Sequence, residues 1–175
     1  MTAEFVRDAA ATAAVFGFFA SGWLGWAQDD PPPGWRRILA TGSVLSLLTA
    51  VAGGILTWRN WSEGSAIDAE TGPVFGAIVG IEVALAGLGA LVLARRGQGD
   101  LTAAWVALVV GVHFFPLAPL LEYPLLYVVA ALVTVAAVVS VPVARARGIA
   151  VSAVTGITVG TVLLGAALVS LVTVV

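Results

Sequence analysis

Six apolar runs of about 20 residues each constrain this chain more than any other feature. A stretch of that length crosses roughly 30 Å of hydrocarbon as a helix. The runs fall at 9–27, 38–58, 74–94, 101–121, 125–144 and 149–172. Only helices and closed barrels satisfy the backbone in lipid, and barrels show alternating strands of ~10 residues instead. The expected fold class is all-α: a polytopic integral membrane protein, with one bundle of six transmembrane helices spanning 1–175. The longest connection holds about 15 residues, so no soluble domain is expected between the spans.

Composition removes several function classes. The chain is 60% hydrophobic and 10% charged, where soluble domains carry about a quarter charged residues. Eight basic residues, all Arg, against ten acidic ones give a net charge of −2, which argues against a nucleic-acid partner. Without Cys there is no disulfide or thiolate metal site. A single His cannot hold a haem by two imidazoles, and without Lys no retinal Schiff base forms. Asp29 and Asp30 are followed at once by Pro31, Pro32 and Pro33, with no second acidic pair, and read as a solvated linker stiffened by the prolines. No metal and no cofactor is expected. No enzyme is expected either, since too few polar residues converge at headgroup depth and no glycine pattern flanks a serine nucleophile.

The first span is expected to be retained. Glu4 and Asp8 stand beside Arg7 in front of it, and the apolar stretch exceeds a usual signal-peptide core. Orientation follows from arginine placement. The first, third and fifth connections hold Arg36, Arg37, Arg95, Arg96, Arg145 and Arg147, while the opposite side holds only Arg7 and Arg59. The positive-inside rule then puts the three arginine-rich connections in the cytoplasm and both termini outside a plasma membrane. Trp35 on one side, and Trp58 and Trp61 on the other, sit where aromatic anchors belong.

Small residues recur at four-residue spacing: Gly17 with Ser21, Gly76 with Gly80, Gly156 with Gly160. Such pairs let helices approach closely in lipid. Packing within the bundle is the plain reading. The run of small residues around Gly156 and Gly160 also suggests a homodimer or partner-subunit face. Spans three and six resemble each other, but the other offsets between halves do not match, so no inverted repeat is assigned.

Two ionisable residues fall inside the spans, Glu82 and His113. A charge at mid-helix costs about 2.5–3.5 kcal/mol on insertion scales. Each lies about 15 residues from the short connection at Gly97 and Gln98. On antiparallel neighbours they therefore reach one depth, at ~1.5 Å per residue. A carboxyl and an imidazole at one level can share a proton or pair, or simply fix the helix register. Pro116 removes a donor to the Val112 carbonyl, so a kink is expected to open the wall beside His113. Arg59, Glu122, Tyr123 and Tyr127 are expected to join them in an outer polar pocket, with Arg59 attracting an anionic group. Ser43, Ser46 and Thr49 repeat at helical spacing along span two.

Gly111, His113, Phe114, Pro116, Leu117 and Ala118 form a G-x-H-F-x-P-L-A stretch. The segment that holds it, 109–128, resembles one carried by small bacterial multi-pass membrane proteins and covers about a tenth of the chain. The resemblance implies the fold class and no substrate. The expected function is a small-solute transporter or solute-binding membrane protein with a proton-linked Glu82–His113 pair. The alternative is a structural or accessory subunit, such as the substrate-binding component of a larger importer, whose pair only fixes packing.

Overall fold

A computed structural model describes residues 3–174. It consists of six long helices: α1 (Val6–Trp26), α2 (Trp35–Arg59), α3 (Thr71–Arg95), α4 (Thr102–Leu120), α5 (Leu125–Arg147) and α6 (Val151–Val172). A single 3₁₀ turn, Gly99–Leu101, leads into α4. All six are long and apolar enough to cross a membrane. Several helices outrun their apolar spans: α1 takes in Arg7 and Asp8, and α2 takes in Arg36 and Arg37. Hydropathy marks what lipid tolerates, whereas helical hydrogen bonding continues into the polar flanks.

The connections end the helices by local means. Gly34 after the three prolines, Gly97 after α3 and Gly148 after α5 hold φ values of 86°, 69° and 62°, where glycine avoids a Cβ clash. The α4–α5 corner uses Glu122 instead, at φ 49°. There the Tyr123 N–H donates to the Ala118 carbonyl at 3.1 Å and the Glu122 N–H to the Pro119 carbonyl at 3.3 Å. This is a Schellman closure with glutamate in glycine's usual place. It turns Tyr123 inward, where its hydroxyl meets Ser170 Oγ at 2.8 Å.

The helices pack in the spatial order α2, α1, α6, α5, α4, α3. The core is formed by α1, α4, α5 and α6, with Phe16, Trp23, Phe114, Leu126, Val129, Val133 and Leu163 buried within it. Close approach at the α1–α6 and α1–α2 contacts depends on missing side chains. A Cβ on Gly156 would stand 2.5 Å from the Trp23 carbonyl, and one on Gly160 would strike Leu24. These two glycines are thus taken up inside the bundle, and the expectation that they form a dimer or partner face is corrected: α1 covers them. Gly17 lies likewise against the α2 backbone at Ser46 and Ala50. The hydroxyls of Ser46 and Thr49 donate to Gly42 and Leu45 in their own helix at 2.8 and 2.9 Å. Ser43 accepts from Gln28 and donates to the Ser21 carbonyl. The polar stripe of α2 is therefore used in packing.

Helix α3 stands apart. It buries no residue and packs mainly on α4 among the other long helices. Trp105 Nε1 of α4 donates to the Leu85 carbonyl at 3.0 Å, with its ring lying over Gly89.

Candidate functional site

Because α3 rests on α4 and leaves α1 unpacked, a cavity of about 450 Å³ lies between the three helices. Helix α1 gives it one stripe at helical spacing: Asp8, Thr12, Phe16, Phe19 and Trp23. Phe75, Val79, Glu82 and Val83 come from α3, and Val110, His113, Phe114 and Leu117 from α4. Leu126 and Leu163 reach it from α5 and α6, and Tyr123 from the corner. Phe16 and Phe114 meet edge to face at 5.2 Å between centroids.

The α2–α3 connection covers one end. Asp8 clips it down, accepting from Ser65 Oγ and from the Ala66 N–H, both at 2.7 Å. Arg7 lies over the Trp61 ring, 5.1 Å from its centroid, and donates to the Trp61 carbonyl. Ile67 of this connection lines the cavity. With that end capped, the opening is sideways, between α1 and α3. Val15, Phe19 and Val83 form its rim and are 49%, 54% and 65% exposed.

Glu82 and His113 meet on the wall, with Oε2 and Nε2 3.4 Å apart and both side chains partly open to the cavity. The expected depth match is therefore realised. His113 Nδ1 lies 2.6 Å from the Val110 carbonyl. A carbonyl only accepts, so Nδ1 carries hydrogen. Nε2 then offers either a lone pair or a second N–H. In the neutral state of the pair, one proton serves both groups, as carboxylic acid with imidazole or as carboxylate with imidazolium. At 3.4 Å the gap exceeds a closed N–H···O bond of about 2.9 Å. A polar atom entering the cavity can therefore reach either partner.

The other expected site residues divide. Tyr123 lines the cavity, with its hydroxyl engaged by Ser170. Arg59, Glu122 and Tyr127 are exposed and outside the lining, so the outer polar pocket does not assemble around them. Arg59 ends α2, a helix that contributes nothing to the wall. Glu122 is spent on the corner, where its carboxyl is hydrogen-bonded to that of Glu4, and Glu4 is raised above the usual carboxylate range by that bond and by the repulsion between the two. Pro116 sits on the exposed side of α4, which continues through it to Leu120. Pro116 is not among the residues that line the cavity.

Sequence reasoning missed the whole α1 wall. The i, i+4 stripe from Asp8 to Trp23 was the available signal, but periodicity does not say which helix a stripe faces. Among the described residues, no cluster of three or more His, Asp or Glu is arranged to hold a metal ion. Comparison with protein-family models, curated proteins and solved structures returns no match.

Proposed function

We propose that this multi-pass membrane protein binds a small membrane-soluble solute in the α1–α3–α4 cavity, and that protonation of the Glu82–His113 pair governs binding. One observation carries the reading: a carboxyl and an imidazole 3.4 Å apart form the polar spot deep in a largely apolar cavity whose rim is exposed between two helices. A pair serving only to fix register would be as well served in a dry contact. The arginine count supports a cytoplasmic membrane with the termini outside, an orientation in which the capped end of the cavity faces outward. A carboxyl-terminal reporter fusion tests that orientation, and activity of a cytoplasm-specific reporter would overturn it.

A neutral fluorescent probe, N-phenyl-1-naphthylamine, tests the site in nanodiscs. Displacing water from a charged pair is costly, so the probe prefers the neutral one-proton state. Its affinity should fall as pH rises and the pair loses that proton. Val79→Trp should abolish binding by filling the cavity, and Glu82→Gln should remove the pH dependence. Saturable binding untouched by Val79→Trp would sink the reading.

A second reading is favoured by α3 itself. On its exposed side Gly76, Gly80 and Gly87 have no neighbour within 4 Å, a surface that suits a partner helix in an accessory subunit. A change in the native mass of the complex on Gly80→Leu would support it, and no change would oppose it.

A further inference from the structure

We infer that the solute is a lipophilic cation, such as an amine or onium compound with apolar substituents, taken up in exchange for the single proton of the Glu82–His113 pair. This rests on the cavity being a binding site, as proposed above, and adds the sign of its ligand's charge.

Charge balance carries the inference. With the Nδ1 hydrogen fixed on the Val110 carbonyl, removal of the shared proton leaves Glu82 ionised and His113 neutral, a net charge of −1. A monovalent cation restores neutrality in low-dielectric surroundings, where an uncompensated charge is expensive. The exchange is balanced: cation plus protonated pair gives the cation-bound carboxylate and imidazole plus one released proton. An anion would instead require both groups protonated at once, two protons on adjacent sites in an apolar wall.

The remaining lining points the same way. No arginine lines the cavity among the described residues; Arg7 is held over Trp61, and Arg59 is at the end of α2. The other titratable groups on the wall are Asp8 and Tyr123. Asp8 is held by Ser65 and Ala66, with Arg7 Nε 3.9 Å away, and the Tyr123 hydroxyl is engaged by Ser170. From α5 and α6 only Leu126 and Leu163 face the space. Six aromatic rings, from Phe16, Phe19, Trp23, Phe75, Phe114 and Tyr123, line it, and aromatic faces attract organic cations. The exposed apolar rim suits a ligand that partitions into the bilayer before it binds.

Tetraphenylphosphonium, a cation without dissociable protons, is the direct probe. Binding to wild-type protein in weakly buffered nanodiscs should release one proton per cation. Affinity should rise about tenfold per pH unit until the pair is fully deprotonated, because one proton is exchanged. That slope is opposite to the one expected for the neutral probe. Glu82→Gln should lose both the release and the slope, and Glu82→Asp should retain them. Cation binding without proton release, or binding of the neutral probe with no competition from the cation, would overturn the exchange while leaving the cavity reading intact. If neither probe binds, the cavity reading and this inference fall together. The proton count is made on unmodified protein, so the result stands even where a variant fails to fold.

Discussion

At the scale of single residues, three local arrangements make measurable claims. Glu82 and His113 lie close enough to interact directly, so their substitutions should not add. A cycle of Glu82→Gln, His113→Asn and the double variant, followed by unfolding in mixed micelles, should give a coupling of roughly 0.5–3 kcal/mol. Additive effects would mean that the two groups share a cavity without sharing a proton. Glu122 holds a left-handed backbone that costs an L-residue about 1 kcal/mol more than glycine. Glu122→Gly should therefore stabilise the fold by about that amount, and a loss of stability would show that the Glu4 contact matters more. Asp68 accepts from the Glu70 and Thr71 N–H groups at 2.8 and 2.9 Å and from the Thr71 hydroxyl at 3.0 Å. These bonds hold its carboxyl below the ordinary aspartate range, with the Thr71 amide the largest influence. A lowered acid stabilises the fold above its ordinary titration range, and that contribution disappears as pH falls through the lowered value. The amides of Thr71, Gly72 and Val74 in the first turn of α3 should then exchange faster in acid than those in the first turn of α6, which has no acidic cap.

At the scale of helices, what the sequence revealed and what it concealed have separate physical causes. Six spans were legible because lipid demands about 20 apolar residues per crossing. The meeting of Glu82 and His113 was legible because a short connection makes α3 and α4 antiparallel and fixes their relative heights. Which face of α1 looked toward them was not, since its rings and small residues fit several neighbours equally well. The glycine pairs show the same limit. Gly156 and Gly160 are filled from within by α1, yet Gly76 and Gly80, with the same spacing, stand open. Spacing identifies a surface fit for close approach without naming what approaches. Helix α3 separates the two cases in one element. Gly89→Leu should drive a side chain into the Trp105 ring and loosen α3 from α4, at a cost of about 1–3 kcal/mol. Gly76→Leu should be neutral for the isolated chain. If both variants unfold alike in a denaturant titration, the packing of α3 is not what Trp105 and Gly89 indicate.

At the scale of the whole molecule, the proposed function depends on asymmetry in how the bundle closes. Five helices share close contacts around α6, while α3 is attached along one flank. An opening flanked by exposed apolar side chains, with the α2–α3 connection tied over one end by Asp8 and Arg7, suits the proposed entry from the acyl-chain region. The chain has no cysteine, so labels can be placed singly without removing native thiols. Spin labels at Val15→Cys and Val83→Cys, on the two sides of the opening, should collide more often with dissolved oxygen, which concentrates in lipid, than with a water-soluble nickel chelate. The reverse ranking would mean that water enters there and that the solute arrives from the aqueous phase. A short bis-maleimide joining the two cysteines should abolish binding of either probe while leaving the helical content unchanged. Retained binding would place the entrance elsewhere, with the capped end as the alternative route. Weakening the Asp8 clip from the side of the connection, with Ser65→Ala, then decides between the routes: lateral entry is indifferent to it, whereas entry through the end should become faster.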